Sequence, residues 1–258
     1  MKYSVFTRDD DYSRDLKFII CKELQNFDQY TYDPEYPELV ICIGGDGTIL
    51  RAIHHYQSQL DHLMFTAIHT GTLGFFTDYT KNEVDQFIHD LHHEPVQIDS
   101  CDLLEATTDQ GQVYYALNEI RIGSFTTTVA YDVYVDDEFL ETIRSCGLCI
   151  STQAGSTAAN RALGGAVVDD GLNILELTQI MPVSHINQHS LVSPYILKKE
   201  RVIDIRGRSL GNSVLCYDHL ETGKLIGIEN VKIRLSGRKV NFARFRPYSY
   251  LKRLKNLY

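Results

Sequence analysis

The sequence predicts an α/β domain followed by a β-rich domain, and three observations lead to this fold class. Strand-like and helix-like segments alternate through the first third of the 258 residues, which is typical of a parallel sheet with right-handed crossovers. The apolar run ELVICI, residues 38–43, has no polar face, as in a strand covered on both sides. After Pro95, runs rich in β-branched and aromatic residues replace the alternation.

These patterns set the expected limits of the domains. We expect the α/β domain with its parallel sheet over residues 1–98 and a β-rich, sandwich-like domain over residues 99–235. Residues 236–258 have few turn signals before Pro247, and we expect this C-terminal segment to return and pack on the first domain.

The elements of the α/β domain follow from the spacing of apolar residues. The segment KYSVFT, residues 2–7, predicts the first strand. Residues 11–27 predict a helix, because their apolar side chains recur at helical spacing. These side chains are Leu16, Ile19, Ile20 and Leu24. The remaining predicted elements are a helix that opens at Thr48, a strand at 63–70 and a helix at 81–93.

The β-rich domain is predicted from short runs separated by turn residues. Asp136 and Asp137 lie between two such runs, and we expect a hairpin turn there. The runs are VYYALNEIRIG, TVAYDVYVDDEFLETI, RVIDIRGR, SVLCYDHLE, KLIGIE and VKIRLSG.

The composition is that of an ordinary globular protein, with 43% hydrophobic and 23% charged residues. The formal net charge of −9 argues against a nucleic-acid-binding surface. Basic residues concentrate near the C-terminus, which favours a solvated or docked terminal helix over an RNA site. No apolar run approaches the roughly 20 residues that span a bilayer. We therefore expect a cytoplasmic protein with neither a membrane nor a nucleic acid as partner.

The cysteines predict reduced thiols rather than a disulfide framework, because they are scattered along the chain. Cys146 and Cys149 form a CxxC pattern, but on a strand residues three apart face opposite sides, which disfavours a disulfide. The six cysteines are Cys21, Cys42, Cys101, Cys146, Cys149 and Cys216.

A glycine-rich turn, IGGDGTIL at residues 43–50, follows the second apolar strand and precedes a predicted helix. No lysine follows these glycines, so the turn is not a Walker loop. Leu50 stands where a dinucleotide fingerprint requires its third glycine. What remains is a set of backbone N–H groups at a helix N-terminus, capped by Thr48, which would attract an anion. The predicted phosphate-binding residues are Gly44, Gly45, Gly47 and Thr48.

Asp46, at the centre of this turn, would repel a bare phosphate. It becomes useful if it takes a proton from an attacking hydroxyl group, or if it helps to place a Mg²⁺ ion that masks the charge. Both roles belong to phosphoryl transfer. The alternative is that Asp46 is merely a turn residue, since aspartate and glycine commonly form turns.

Further segments carry a resemblance to a known family. GGDG by itself also occurs in diacylglycerol and sphingosine kinases, whereas the LNE and GSTAxN patterns are more specific. The segments are IGGDGTIL (43–50), IHTGTLGFFTDY (68–79), ALNEI (116–120), ISTQAGSTAANRALGGAVV (150–168) and FARFRP (242–247). Over nearly its whole length, the chain resembles bacterial NAD kinases of the ATP- or polyphosphate-dependent kind.

The resemblance implies Mg²⁺-dependent phosphorylation of the adenosine ribose 2′-hydroxyl of NAD by ATP or polyphosphate, which gives NADP. It implies NAD binding between the two domains, and a homo-oligomer, either a dimer or a tetramer. Asp46 corresponds to the carboxylate that activates the hydroxyl group. No protein metal ligand is assigned. The positions implied to bind NAD are Phe75, Asn118, Glu119, Arg144, Cys146, Thr157, Ala158, Ala159, Asp218 and His219.

The resemblance also assigns parts of NAD to these positions. Asn118 and Glu119 match an asparagine–glutamate pair that holds the adenosine part, and Phe75 lies where an aromatic ring lines the adenine pocket. Thr157 and Ala158 match positions that contact adenosine and nicotinamide. The pair Asp218 and His219 resembles an aspartate–histidine step near the dinucleotide.

The chain departs from the family pattern in the part that would hold the nicotinamide side. Arg144 is kept, but Cys146 replaces an aspartate and Ala159 a tyrosine. The other replacements are Thr72 for a histidine, Gln153 for a proline, Ala154 for a serine and Ala162 for a position that is often serine. Each lost hydrogen bond to a charged group removes roughly 1.5–3 kcal/mol, so NAD affinity is expected to fall.

These departures leave alternatives to NAD kinase activity open. One is a lapsed relative that binds a nucleotide without turnover. Another is a kinase for a different hydroxylated acceptor, and the LNE and GSTA segments argue against a lipid because a lipid offers no ribose to recognise.

Overall fold

The computed structural model describes residues 1–71, 74–183, 190–208 and 210–257. The chain divides into two compact units, the first formed by Met1–Cys101 with Lys239–Tyr258 and the second by Asp102–Arg238. The α-helices are α1 (Asp11–Leu24), α2 (Asp46–His55), α3 (Val84–His93), α4 (Ala159–Ala162) and α5 (Tyr250–Leu254).

Strands β1 to β5 lie in the first unit and β7 to β15 in the second, while β6 and β16 run through both. In chain order they are β1 (Lys2–Thr7), β2 (Thr31–Tyr32), β3 (Leu39–Ile43), β4 (Met64–His69), β5 (Tyr79–Thr80), β6 (Gln97–Thr108), β7 (Val113–Ala116), β8 (Glu119–Gly123), β9 (Val129–Val135), β10 (Glu138–Ser151), β11 (Ile174–Pro182), β12 (Tyr195–Lys198), β13 (Ile203–Arg206), β14 (Val214–Tyr217), β15 (Leu220–Lys224) and β16 (Asn230–Arg244).

The sheet of the first unit is parallel, as predicted. β1 pairs with β2 and β3, and β4 pairs with β3 and β5. The end of β16 adds a further parallel pairing to β4 through Asn241 and Phe242. Every residue of β3 is fully buried, which explains why this strand has no polar face in the sequence.

Helix α1 begins where the sequence predicts and ends earlier. The Asp10 side chain accepts a hydrogen bond of 2.8 Å from the Ser13 N–H and so caps the N-terminus. Leu16, Ile20 and Leu24 form the buried stripe. The expectation that Ile19 belongs to this face is wrong, because the i, i+4 stripe turns it outward, where it is 48% exposed.

Helix α2 begins at Asp46 rather than at the predicted Thr48. Gly45, with an extended backbone, occupies the N-cap position, and its carbonyl accepts hydrogen bonds from the N–H groups of Thr48 and Ile49. Because Asp46 lies in the first turn, its negative charge is favoured by the helix dipole. Helix α3 begins at Val84, three residues after the predicted start.

The second unit is β-rich, which confirms the predicted fold class. Its main sheet has the antiparallel order β13-β9-β10-β8-β14-β15, and β10 also pairs with β11. Asp136 and Asp137 both have positive φ, so the predicted hairpin turn joins β9 to β10. All six cysteines are free thiols, as expected.

Within the described residues, none of the helices combines the length and the apolar character that crossing a membrane requires.

Candidate functional site

The Asp46 carboxylate is held by the backbone of a turn that follows β4. Its Oδ2 accepts a hydrogen bond of 2.9 Å from the Phe75 N–H, and its Oδ1 accepts one of 3.1 Å from the Phe76 N–H. Each oxygen therefore keeps lone-pair capacity for a further partner. The turn is itself tied by the Gly74 N–H, which donates to Thr77 Oγ1 at 3.1 Å.

The ionisation of Asp46 is set by opposing effects. Burial raises the pKa of its carboxyl above the ordinary value, because a shielded site disfavours the charged form. The two backbone N–H groups lower this pKa, and so do the guanidinium groups of Arg253 and Arg244. A carboxylate with a raised pKa is a stronger proton acceptor.

Two glycines are required by close approach in this region. A Cβ atom at Gly74 would overlap the Asp46 carboxylate, so only glycine leaves that group in place. Gly44 has a φ of 153°, and a Cβ there would overlap the Thr48 side chain.

The four predicted phosphate-binding residues differ in their hydrogen bonds and in their burial. The Gly44 N–H donates to the Ile68 carbonyl at 3.0 Å, so it is engaged within the sheet. Thr48 is buried, and its N–H donates to the Gly45 carbonyl at 2.8 Å, so its predicted N-cap role is wrong. Gly45 is partly buried and Gly47 is exposed at the start of α2, where the first N–H groups have no partner within the helix.

In the second unit, Asn118 and Glu119 lie buried at the start of β8. Asp218 fixes their backbone, because its carboxylate accepts hydrogen bonds from the N–H groups of Leu117 at 2.9 Å and Asn118 at 2.7 Å. Among the residues that the structure describes, the buried Asn118 Oδ1 and Glu119 Oε2 atoms have no hydrogen-bond partner. Buried acceptors of this kind require a partner, which a water molecule or a ligand donor can supply.

Glu119 has an unusual ionisation. Burial raises the pKa of its carboxyl to about 7, and Arg121, whose Nε lies 3.5 Å from Glu119 Oε1, lowers it in part. The Ala159 N–H also contacts the carboxyl and lowers its pKa. The structure thus brings together Asn118, Glu119, Ala159 and Asp218.

A buried network of hydrogen bonds fixes the segment that includes Thr157, Ala158 and Ala159. Glu176 accepts hydrogen bonds from Asn160 Nδ2 at 2.8 Å and from the Ala166 N–H at 2.6 Å. Thr157 ends a 3₁₀ turn, and Ala158 lies between this turn and α4. Gln153, at the position of the family's proline, donates from Nε2 to the Val168 carbonyl at 3.3 Å.

The remaining predicted positions lie in several different elements. Arg144 is exposed and Cys146 partly buried, two residues apart on one face of β10. His219 is exposed between β14 and β15. The partly buried ring of Phe75 lies 5.7 Å from that of Tyr250. Thr72 lies outside the described residues, and the NAD-contacting roles of all these positions stay predictions.

Sequence reasoning missed several residues around Asp46. The quoted segment FFTDY contains Phe76 and Asp78, but nothing in it indicates that a backbone N–H holds the carboxylate. Arg244 and Arg253 each donate to a carbonyl of this turn and to Asp78. The only available signal was the basic character of the C-terminal segment.

Among the described residues, no group of three or more His, Cys, Asp or Glu side chains is arranged to hold a metal ion. Mg²⁺ usually binds proteins through one or two carboxylates together with substrate phosphates and waters.

We expect Glu119→Gln to stabilise the protein in a pH-dependent way. The raised pKa of Glu119 means that folding favours its neutral form, so wild-type stability falls as the pH rises from 4.5, the ordinary pKa, towards about 7. Glutamine avoids this loss. The variant's advantage in free energy of unfolding is expected to be about 2 to 3 kcal/mol larger at pH 8 than at pH 5.

Urea unfolding of both proteins at the two pH values measures this difference. Glu221→Gln on the exposed part of β15 is the matched control for replacing a carboxylate by an amide. An equal advantage for Glu119→Gln at both pH values would contradict the expectation.

Comparisons with known proteins give consistent matches. The model of the ATP-NAD kinase N-terminal domain matches residues 29–96, and that of the ATP-NAD kinase C-terminal domain matches residues 117–245. The chain is 33% identical over 263 residues to the NAD kinase of Latilactobacillus sakei, which covers 100% of this chain and 97% of that protein.

Two solved structures share the fold. A yeast NADH kinase complexed with NADH has a TM-score of 0.81 at 18% identity, covering 99% of this chain and 86% of that chain. An NAD kinase from Archaeoglobus fulgidus in complex with ATP has a TM-score of 0.76 at 22% identity, covering 100% of this chain and 97% of that chain.

Proposed function

This chain belongs to the NAD kinase family, and we propose that it transfers the γ-phosphoryl group of ATP to the 2′-hydroxyl of the adenosine ribose of NAD, with Asp46 as general base. The observation that carries this proposal is the orientation of the Asp46 carboxylate by the N–H groups of Phe75 and Phe76. A merely local turn residue would not need a second turn, almost thirty residues away in the sequence, to hold it.

In this reaction, Asp46 accepts the hydroxyl proton as the ribose oxygen forms a bond to the γ-phosphorus. The bond between this phosphorus and the β,γ-bridging oxygen breaks, and ADP leaves. General-base assistance of this kind contributes roughly 10²–10⁴-fold to the rate. The backbone N–H groups fix the direction of the carboxylate, so that little reorganisation is needed during the transfer.

The donor phosphates would be bound by the start of α2. Gly45 and Gly47 are free of side chains there, and helix N-termini attract anions. Mg²⁺ bound to the donor phosphates would neutralise part of their charge and so reduce their repulsion from Asp46. Neither Gly44 nor Thr48 is assigned a direct contact, since the N–H of each is already engaged.

Asn118 and Glu119 would bind the adenosine part of the nucleotide through their orphaned oxygens, Oδ1 and Oε2. Both are acceptors when Glu119 is ionised, which suits hydroxyl or amino donors of a nucleoside. Asp218 serves this pair indirectly, because both its carboxylate oxygens hold backbone N–H groups. Contacts from Phe75, Arg144, Cys146, Thr157, Ala158, Ala159 and His219 complete the proposed NAD-binding set.

We further assign the protein to the cytoplasm and to a homo-oligomeric state, as the resemblance implies. Its surface offers support for the latter, because apolar side chains at the end of β11 and in β12 are exposed. These include Met181, which is 71% exposed, with Val183 and Ile196.

The test of the proposed function is NADP formation by the purified protein, measured with an NADP-specific dehydrogenase. NADP is expected from NAD, ATP and Mg²⁺, and its formation should stop when EDTA removes the cation. Polyphosphate in place of ATP, and NADH in place of NAD, define the donor and the acceptor. Absence of product at high enzyme concentration, with NAD still raising the thermal unfolding temperature, would instead support binding without turnover.

A further inference from the structure

Two arginines of the C-terminal part of the chain, Arg244 and Arg253, are buried in the first unit. Arg244 is 3% exposed at the end of β16, and Arg253 is 6% exposed in α5. Buried guanidinium groups are costly unless they are paired and hydrogen-bonded. Their partners therefore indicate what these residues do.

Both arginines converge on the turn that holds Asp46. Arg244 Nη1 donates to the Phe76 carbonyl at 3.2 Å, and Arg253 Nη2 donates to the Thr77 carbonyl at 2.7 Å. Asp78 joins them, because Oδ2 accepts from Arg244 at 2.9 Å and Oδ1 accepts from Arg253 at 3.3 Å. Both arginines thus bind the turn through its carbonyl groups, whereas Asp46 binds it through N–H groups.

We propose that Arg244 and Arg253 are positioning residues that act through Asp46. By binding the carbonyl groups of Phe76 and Thr77, they fix the peptide groups of the turn so that the preceding N–H groups stay directed at the carboxylate. The inference rests on the proposed role of Asp46 as general base.

A role in stability alone explains these contacts less well than a positioning role does. Buried ion pairs can often be replaced by apolar residues without loss of stability, because desolvation offsets much of the attraction. Planar guanidinium groups, by contrast, have several donors in a fixed geometry and can bind a carbonyl and a carboxylate together. Arg244 also stacks over Tyr248, with its Cζ 4.4 Å from the ring centroid, which limits its movement.

The two arginines also lie close enough to influence the charge of Asp46. Both lower the pKa of its carboxyl, against the effect of burial. Removing either guanidinium group should therefore disturb the direction of the carboxylate and its ionisation together.

The test begins with Arg253→Met, with Arg253→Lys as a milder variant. Lysine keeps the charge but lacks the fork that reaches both Thr77 and Asp78. We expect kcat for NADP formation to fall at least tenfold in Arg253→Met and less in Arg253→Lys, with KM for NAD and ATP within twofold of wild type. The matched control is Arg246→Met, since Arg246 is paired with Glu83 and not with this turn.

A double-mutant cycle separates positioning from general stabilisation. In an Asp46→Asn background, Arg253→Met should cause no further loss of kcat, because the group through which it acts is already inactive. An equal fold-loss in both backgrounds would overturn the proposal, as would KM changes without any change in kcat.

A crystal structure of the Arg253→Lys variant provides a readout that needs no activity. We expect the contacts from the Phe75 and Phe76 N–H groups to Asp46, 2.9 and 3.1 Å here, to lengthen or break. If both contacts persist unchanged, the proposal is wrong, whatever the assay for NADP shows. Absence of NADP from the wild-type protein with displaced contacts in the variant would instead reject the proposed function alone.

Discussion

Asparagine in place of Asp46 is expected to lower kcat for NADP formation by about 10²–10⁴-fold, the usual contribution of a general base. The substitution preserves the shape of the side chain but removes its ability to accept a proton. Its amide NH₂ would also face one of the two N–H donors that now meet a carboxylate oxygen. Steady-state kinetics with saturating NAD and ATP measure the loss.

The fold should survive this change. Burial already disfavours the charged form of Asp46, so replacing it with a neutral side chain removes an unfavourable desolvation while it weakens one hydrogen bond. We therefore expect the thermal unfolding temperature to stay close to that of wild type. Asp85→Asn is the matched control, because Asp85 is an exposed acid in the first turn of α3. Retention of more than a tenth of the wild-type kcat by Asp46→Asn would contradict the role of general base.

The sheet of the first unit could be predicted because its signals are local. The fully apolar run of β3 indicated burial on both faces, and the glycine turn after it indicated the start of a helix. The start of α2 was placed two residues late, because a threonine is a good N-cap in isolation. Here Thr48 is instead packed against Gly44, whose backbone requires the space.

The surroundings of Asp46 could not be predicted, because they assemble from distant parts of the chain. A backbone N–H has no signature in the sequence, so the contacts from Phe75 and Phe76 were invisible there. The same holds for Arg244 and Arg253, which follow Asp46 by some two hundred residues. Their basic character favoured a docked C-terminal segment but gave no partner.

In the second unit, the resemblance named candidate residues, and the structure shows which atoms they contact. Asn118, Glu119 and Asp218 were expected to contact the nucleotide alike. In the structure, the Asp218 carboxylate accepts hydrogen bonds from backbone N–H groups, whereas Asn118 and Glu119 each have a buried oxygen without a partner in the described part of the chain. The carboxylate of Asp218 and the two N–H groups are about a hundred residues apart in the chain, so a sequence motif does not predict these contacts.

Alanine in place of Gly74 is expected to lower kcat by about 100-fold, although residue 74 has no side chain to take part in chemistry. Its Cβ would overlap all three atoms of the Asp46 carboxylate, so either the carboxylate rotates away or the turn shifts. A displacement of about 1 Å in a catalytic group can reduce the rate by roughly this factor. Since Gly74 does not have positive φ, its backbone conformation itself tolerates alanine.

The control for Gly74→Ala is Gly71→Ala, where a Cβ meets none of the described atoms within 4 Å and kcat should not change. The measurement is kcat with saturating NAD and ATP, together with thermal unfolding of each variant. A fall in kcat without a matching fall in stability assigns the effect to the carboxylate's position. If Gly74→Ala instead keeps its kcat within twofold of wild type, catalysis does not depend on the direction that the turn imposes on Asp46. Another group would then have to accept the hydroxyl proton.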